Sequence, residues 1–321
     1  EKISKYRSGF ESALDDVAGS TRYASIGEIL WCVVSINRFA RSFIDRIVII
    51  TDGQDPGLGE ELSAIFPGGF IPMVVVDHRT IFKGYEEYLP VFNSRAIETL
   101  MWNIPDLSER FVYFNDDFLL AAPVSQEDFF TVDGKVVCYG DRYSALWTKI
   151  LQVLKPVRNG HRKVSYKASM LEAWKMEGRG QRMIKINHTP RALVKSVFRD
   201  YYEAHPEAVV RNVRHRFRDS SQYNTQELFY LLARRSGSCV LRRPADSLFY
   251  FMPKKKKGYL ERKMALLESR PYKFVCFNSL DHATPQEREV VADWVSARLG
   301  LQVPFKEGKA LLASPEVGQM P

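Results

Sequence analysis

The chain has 321 residues, a net charge of +8, and a composition that is 45% hydrophobic and 12% aromatic. These values exclude an intrinsically disordered protein, because the apolar content is enough to build one large core or two ordinary ones. No segment approaches the roughly 18 to 20 consecutive apolar residues of a membrane span, and the first residues, EKISKYRSGF, lack the apolar core of a signal peptide. The positive charge suits an anionic partner; nucleic acid is not expected, because no binding motif is recognisable.

The cysteines predict a reduced, cytosolic type of protein. They are far apart in the chain, form no CxxC pair, and mostly lie inside apolar runs: Cys32, Cys138, Cys239 and Cys276. We therefore expect them to be core residues and not a disulfide set.

The first 140 residues alternate helical and strand-like patterns. Helical spacing of apolar residues occurs in SIGEILWCVVSINRFA, PGLGEELSAIF and NSRAIETLMWNI. Short β-branched or aromatic runs between them predict strands in DRIVIITDG, IPMVVVDH and RFVYFNDD. Strands separated by helices predict an α/β fold with a mostly parallel sheet, of the Rossmann-like kind that binds nucleotides.

Each predicted strand ends on polar residues. These are Thr51, Asp52, Gly53 and Gln54 on the first, Asp77 and His78 on the second, and Asn115, Asp116 and Asp117 on the third. In an open α/β sheet the ligand crevice lies beyond the carboxyl ends of the strands. We therefore expect these three ends to line one cleft.

From about residue 140 the chain is more helical. A basic helical segment, WTKILQVLKPVRNGHRKVSYKASMLEAWKMEGRG, precedes a strand in RMIKIN, a helix in NTQELFYLLARR, a strand in KFVCFNSLDH and a final helix in TPQEREVVADWVSARLG. We predict a nucleotide- and metal-binding part over residues 1–140. Residues 141–321 would form a mostly helical part that completes the site, packed on the first as one body.

Paired carboxylates at a sheet's carboxyl edge suit a Mg²⁺ or Mn²⁺ ion that bridges substrate phosphates. Neighbouring residues on a regular strand point to opposite faces, so Asp116 and Asp117 share a site only if the strand is already ending there. The alternative for the pair is a helix cap with a structural hydrogen bond.

Three other features each have a structural alternative. His188 follows a strand and precedes a helix, yet a lone histidine is more often structural than catalytic. Alternating Arg214, Arg216 and Arg218 suit a diphosphate if they share one face, or they form a solvated basic edge. Asn93 or Ser94 begins a helix whose N–H groups could hold a phosphate, or simply caps it.

Taken together, several of these stretches resemble the Stealth family. They are RYASIGEILWCVVSI, IVIITDGQDP, VVVDHRTIF, LPVFNSRAIETLMWNIPDLSERFVYFNDDFLL, NHTPRALV, HRFRDS and KFVCFNSLDH, in the family's order and rough spacing. That family contains bacterial capsular polysaccharide phosphotransferases and the catalytic part of the animal lysosomal-enzyme N-acetylglucosamine-1-phosphotransferase. The resemblance implies a GT-A-like fold and transfer of a sugar 1-phosphate from a UDP-sugar, typically UDP-N-acetylhexosamine, to a sugar hydroxyl, which releases UMP.

The resemblance also implies roles for individual residues. Asp116 and Asp117 would hold Mg²⁺ or Mn²⁺, Arg218 and Arg216 would neutralise phosphate oxygens, and His188 would be the general base, with a structural or phosphate-binding role as the alternative. Residues that would contact substrate are Asn93, Ser94, Glu98, Asp52, Gln54, Asn278 and Asp281. The partners would be a nucleotide-sugar donor and an anionic polysaccharide or glycan acceptor, at the cytoplasmic face of a bacterial membrane.

The chain also departs from the family pattern. The family's first region, a strand ending in an Asp-Gly motif, would precede residue 1. Members often have a second histidine at the position of Arg191, an acidic residue at Gln222, an arginine at Val34 and an extra acidic residue near Ser279. Two other functions stay open from the sequence: an ordinary metal-dependent glycosyltransferase that releases UDP, and a non-catalytic polysaccharide-binding relative.

Overall fold

The structure is a computed structural model that describes residues 27–145, 165–178, 182–244, 247–254 and 256–301. Much of the predicted basic helical segment therefore lies outside the described residues. Where the chain is described, no helix is both long enough and apolar enough to cross a membrane.

Most predicted helices form close to their expected positions. The helix expected directly after His188 is wrong, because residues Arg191–Val194 pair as a strand with Arg110–Tyr113 and the next helix begins at Lys195. The helices, numbered in chain order within the described ranges, are α1 Glu28–Phe39, α2 Gly59–Ile65, α3 His78–Ile81, α4 Ser94–Leu100, α5 Tyr166–Met176, α6 Lys195–Ala204, α7 Pro206–Val213, α8 Thr225–Arg235, α9 Tyr259–Glu268 and α10 Pro285–Leu299. The last helix begins with a reciprocal Thr284–Glu287 cap and ends at Gly300, whose φ of 58° is accessible to glycine at little cost.

Strands lie between and beside these helices along the chain, which confirms the α/β class. They are β1 Ile47–Thr51, β2 Met73–Asp77, β3 Arg110–Tyr113, β4 Phe118–Leu120, β5 Val136–Tyr143, β6 Met183–Ile186, β7 Arg191–Val194, β8 Cys239–Arg242, β9 Leu248–Phe251 and β10 Phe274–Phe277. They form small sheets in the orders β1-β2, β4-β10-β9, β3-β7 and β6-β5-β8.

The pairing is less uniformly parallel than the pattern of the first 140 residues indicates. β1 and β2 are parallel as expected, with Thr51 opposite Asp77, so these two carboxyl ends lie side by side. β3 instead pairs with β7 in antiparallel fashion, and β4 pairs with β10 in the same way. The reason is that strands from the second half of the chain are added beside those of the first half, which the local pattern of the first half does not encode.

Helix α1 fixes the position of β4 and of the turn before it. Most of its residues are buried, including Trp31, Cys32 and Val34. The Ser35 hydroxyl accepts a hydrogen bond of 3.1 Å from the backbone N–H of Leu120 in β4. A polar group on an otherwise apolar helix thus satisfies a backbone donor inside the core. The β3–β4 turn is held over the start of this helix by the weak Cys32 Sγ–H contact to the Asn115 carbonyl, at 3.8 Å.

Candidate active site

Asp116 and Asp117 lie in the turn between β3 and β4, and not on a regular strand. β3 ends at Tyr113 and β4 begins at Phe118, whose backbone N–H donates to the Asn115 carbonyl at 3.1 Å. The strict alternation of side chains therefore does not apply to the two carboxylates. Both carboxylates can therefore serve one site, because the strand has already ended before them.

The register of two strand pairs brings distant residues to this turn. Because β7 runs antiparallel to β3, Arg191 at the start of β7 lies opposite Tyr113 at the end of β3. His188 precedes Arg191 by three residues in the chain. β10 runs antiparallel to β4 with Cys276 opposite Phe118, so Cys276 arrives beside Asp117. Antiparallel pairing always places the start of one strand at the end of its neighbour.

Asp117 is the centre of the resulting group. Its Oδ2 accepts a hydrogen bond of 3.0 Å from Asn278 Nδ2 and a weak one of 3.5 Å from the Cys276 thiol. One donor atom from each of Asp117, His188 and Cys276 lies within 4.8 Å of the other two. We call Asp116, Asp117, His188, Cys276 and Asn278 the strand-end cluster.

The other oxygen of Asp117 has an unusual environment. Asp117 Oδ1 is buried, and the described residues offer it no hydrogen-bond donor. A buried carboxylate oxygen without a partner is costly, and a cation is the usual way to satisfy it. The donor set therefore fits a divalent cation held by Asp117 Oδ1, with Asp116 beside it on the exposed side.

Asp116 carries a carboxylate that its surroundings disfavour. Its tip reaches solvent, but the surrounding protein atoms and the neighbouring charge of Asp117 raise its pKa. Two adjacent like charges without an intervening cation repel each other. Such an arrangement is frequent at sites that bind a cation or do proton chemistry.

His188 is held in a defined place by aromatic rings. Its imidazole lies 4.7 Å from the Tyr250 ring and 6.4 Å from the Phe118 ring, measured between centroids. Its Nδ1 is buried and has no hydrogen-bond partner among the described residues. Burial lowers the pKa of His188, and the charge of Asp117 opposes this effect. The imidazole is therefore neutral at neutral pH and can accept a proton or bind a metal.

A second group of predicted residues surrounds the start of α4. Residues 214–219, which we call the arginine turn, line an open cavity of about 370 Å³ together with Glu87 and Tyr88. Arg218 Nη2 donates to the Ser94 hydroxyl at 3.2 Å, and Arg216 Nε donates to the Pro90 carbonyl at 2.9 Å. These contacts hold both guanidiniums at one mouth, a good arrangement for phosphate oxygens.

Asn93 joins the arginine turn to α4. Its Oδ1 caps the helix by accepting from the Ala96 N–H at 3.1 Å, and also accepts from Gln222 Nε2 at 3.2 Å. Its Nδ2 donates to the His215 carbonyl at 2.5 Å. Asn93 is buried, so these contacts give it a clear role in orienting the arginine turn.

Buried charges link the arginine turn to the strand-end cluster. Glu98 on α4 accepts a hydrogen bond of 3.3 Å from the Tyr113 hydroxyl. Burial raises the pKa of Glu98, and the guanidiniums of Arg191 and Arg218 oppose the rise. Arg191 also lies against the Tyr113 and Phe118 rings, at 5.9 and 5.5 Å from their centroids. Glu98 thus interacts with Arg218 of the arginine turn and with Arg191, whose charge also acts on His188 of the strand-end cluster.

The remaining predicted residues lie at other strand ends. Asp52 and Gln54 follow β1, where Gly53, with a φ of 71°, lies so close to Asp77 that an added Cβ would be 3.2 Å from its Oδ2. Asp281 lies in the short turn after β10 and contacts His282 Nε2 at 3.5 Å. The ends of β1 and β2 therefore meet, whereas β3 pairs with β7 in a separate sheet, so a single cleft lined by all three ends stays a prediction.

Sequence patterns did not single out several residues of the site. Cys276 was expected only as a core residue, and it is indeed buried and unbridged. Glu227, fully buried on α8, has its pKa raised to about 8 by burial and accepts a hydrogen bond from Tyr166. Arg191 did carry a signal, since it is a departure from the family pattern, and in the structure it donates to Gln226 on α8.

Comparison with known proteins finds a family match over the first part of the chain. Residues 22–138, which include the turn with both carboxylates, match the family description "Stealth protein CR2, conserved region 2". Over these residues the chain is similar to the Stealth family. The Stealth match ends before His188, Arg218 and Cys276, so their placement comes from the structure.

Three curated relatives of this chain are named as phosphotransferases. It is 28% identical to an exopolysaccharide phosphotransferase of Streptomyces coelicolor over 94% of this chain and 49% of that protein. It is 27% identical to the receptor polysaccharide phosphotransferase WefC of Streptococcus gordonii over 92% of this chain and 90% of that protein. It is 29% identical to the capsular polysaccharide phosphotransferase fcs1 of Haemophilus influenzae over 81% of this chain and 68% of that protein. The chain thus spans about half the length of the Streptomyces relative.

Among solved structures, mouse xyloside xylosyltransferase 1 is similar, with a TM-score of 0.42 and 11% sequence identity over 80% of this chain and 93% of that chain.

Proposed function

We propose that this chain transfers a sugar 1-phosphate from a nucleotide-sugar donor to a sugar hydroxyl during synthesis of a bacterial surface polysaccharide. The observation that carries the proposal is the strand-end cluster. In it the Asp117 carboxylate, which has one buried oxygen without a partner, lies near a neutral histidine, and Asp116 adjoins Asp117 in the same turn. The names of the relatives, all polysaccharide phosphotransferases, support this reaction class over other uses of such a site.

The donor diphosphate carries negative charge that must be balanced as the phosphoryl group moves. Asp117 Oδ1 and Asp116 would hold Mg²⁺ or Mn²⁺, which neutralises phosphate oxygens when bound. Arg218 and Arg216 of the arginine turn, which Glu98 and Arg191 link electrostatically to the strand-end cluster, would add fixed positive charge. Their contacts to Ser94 and Pro90 hold the guanidiniums in place before substrate arrives.

In the transfer step, the acceptor hydroxyl oxygen forms a bond to the phosphorus nearer the sugar. The bond between that phosphorus and the bridging oxygen of the diphosphate breaks, and UMP leaves if the donor is a UDP-sugar. His188 accepts the hydroxyl proton, for which a neutral imidazole is required. The products are a sugar–phosphate–sugar diester and a nucleoside monophosphate.

The test is to measure nucleotide release from UDP-N-acetylglucosamine with the purified full-length protein, a short capsule-type acceptor, and Mg²⁺ or a chelator. Separation of UMP from UDP decides the reaction class, because only sugar-phosphate transfer splits the diphosphate. UMP that depends on both Mg²⁺ and acceptor is the expected result.

Release of UDP would contradict the proposal and identify an ordinary glycosyltransferase. Release of neither nucleotide from a panel of UDP-sugars, with protein that stays folded, would point to a non-catalytic polysaccharide-binding protein. A matched comparison uses Asp116→Asn, which removes one carboxylate of the cluster, beside Asp133→Asn, which makes the same change in an exposed turn outside the cluster.

A further inference from the structure

The strand-end cluster contains donors that a magnesium site does not need. In the part of the chain that the structure describes, Asp117, His188 and Cys276 are the one group of three potential metal-binding side chains whose donor atoms converge, all within 4.8 Å of one another. They come from three separate places: the β3–β4 turn, the β6–β7 connection and β10. A carboxylate, an imidazole and a thiol together are a donor set of transition-metal sites.

Two of these side chains have buried polar atoms that nothing satisfies. Asp117 Oδ1 and His188 Nδ1 are both buried without a hydrogen-bond partner among the described residues. Their surroundings fix them nonetheless: Asn278 holds Asp117 by its other oxygen at 3.0 Å, and the Tyr250 ring packs on the imidazole at 4.7 Å. Ligands oriented in this way by outer groups are typical of metal sites.

We propose that Asp117, His188 and Cys276 form a binding site for a thiophilic divalent transition-metal ion, of which Zn²⁺ is the representative. Zn²⁺ bonds to such donors at about 2.0–2.3 Å, so neighbouring ligand atoms of a tetrahedral ion lie roughly 3.5 Å apart. Donor atoms that already converge within 4.8 Å need a contraction of about 1 Å, which side-chain rotation supplies. The fourth position stays open to water or a phosphate oxygen.

The charges of the site also fit such an ion. On binding, the Cys276 thiol loses its proton to solvent, and thiolate and Asp117 carboxylate together balance the charge of the ion, while His188 stays neutral. Mg²⁺ avoids sulfur and prefers oxygen ligands, so it would use Asp117 and Asp116 instead. The two kinds of ion therefore compete for Asp117.

Occupation by a zinc-like ion has a consequence for the transferase, and this consequence rests on the proposed function. The ion would take Asp117 from the magnesium site and an imidazole nitrogen from His188, so neither residue could serve the transfer step. Micromolar Zn²⁺ would then inhibit turnover even in excess Mg²⁺. The binding itself does not depend on the reaction and is tested without it.

The test uses Co²⁺ as a spectroscopic substitute for Zn²⁺ in the metal-depleted full-length protein. A Co²⁺–thiolate bond gives a near-ultraviolet charge-transfer absorption that oxygen and nitrogen ligands do not give. We expect this band to saturate at one equivalent, to be lost in Cys276→Ser, and to be removed by Zn²⁺ but not by a large excess of Mg²⁺.

Two further variants complete the design. Cys239→Ser is the matched control, because Cys239 lies on β8 beside Cys138 and outside the cluster, so its loss leaves the band intact. His188→Ala keeps the thiol but should weaken Co²⁺ binding by roughly a hundredfold, since loss of a ligand costs at least as much as loss of an outer-shell partner. Thermal unfolding verifies that each variant is folded. If Cys276→Ser does not fold, the Co²⁺ affinity of His188→Ala decides whether the site exists.

The inference is wrong if saturating Co²⁺ gives no thiolate band in the folded wild type, if the band survives in folded Cys276→Ser, or if His188→Ala leaves the affinity unchanged. Failure here is distinguishable from failure of the proposed function. Magnesium-dependent UMP release without a thiolate band refutes the transition-metal site alone, whereas a thiolate band without UMP release refutes the transferase alone.

Discussion

Replacement of Asp116 by asparagine should lower activity without lowering stability. In the folded protein, burial and the charge of Asp117 raise the pKa of Asp116, so its carboxylate is disfavoured at neutral pH. Asparagine has the same shape and keeps the acceptor, Oδ1, that receives the Asp117 N–H at 3.2 Å. The change therefore removes a repulsion and preserves the local hydrogen bond.

The expected stability change is small and positive. The interaction between two charges that are accessible to solvent contributes about 0.2–1 kcal/mol to the free energy of unfolding. Asp116→Asn should therefore increase stability by up to that amount and raise the melting temperature by at most a few degrees. Because the folded-state pKa is raised, the wild type loses stability relative to the variant as pH rises above the unfolded value of about 3.9. The difference should vanish in acid and grow as pH rises through the raised folded-state pKa of Asp116.

The expected activity change is large. Loss of a metal-binding carboxylate should reduce magnesium-dependent UMP release at least about a hundredfold, equivalent to roughly 2.7 kcal/mol of barrier. UMP release is measured beside thermal unfolding from about pH 4 to 8. Turnover within about tenfold of wild type would refute the assignment of Asp116 to the metal, and a marked loss of stability would mean that its carboxylate serves the fold.

Asp133→Asn is the control for both measurements. Asp133 lies in an exposed turn where the Lys135 ammonium, at 2.8 Å, and the Thr131 hydroxyl lower its pKa. The same substitution should therefore reduce stability at neutral pH, with the loss disappearing as pH falls, and leave UMP release unchanged. The two variants differ in sign on stability and in effect on turnover.

Three further predictions follow from the site. His188→Ala should lower kcat by about 10²–10⁴-fold with near-normal donor affinity by calorimetry; collapse of donor binding would instead make His188 a phosphate ligand. Arg218→Lys should raise the donor KM about tenfold, because lysine cannot both keep the Ser94 contact and offer a second parallel hydrogen-bond donor. Unchanged kinetics would exclude Arg218 from phosphate binding. Glu227→Gln should flatten the pH dependence of stability measured by urea unfolding. The folded-state pKa of about 8 makes the wild type lose stability as pH rises from about 4.5 through 8, by roughly 1.4 kcal/mol per unit of pKa difference. An unchanged stability profile would contradict this raised pKa.

Local pattern was sufficient for most elements of the fold. The apolar spacing of α1, the β-branched runs of β1 and β2, and the cap, proline and glycine of α10 each specify their element through interactions within a few residues. The end of β3 is also marked in the sequence, because polar residues interrupt an apolar run at Asn115–Asp117. These features depend on interactions between residues that are close together in the sequence.

The composition of the site was decided by pairing between distant strands. Nothing local to KFVCFNSLDH indicates that Cys276 lies opposite Phe118, or that Asn278 donates to Asp117, 161 residues away in sequence. Arg191 likewise meets Tyr113 only because β7 runs antiparallel to β3. The sequence by itself therefore determined that two carboxylates follow an apolar strand. Only the tertiary structure decided that a histidine and a thiol join them, because strand register is a property of the packed sheet and not of any one segment.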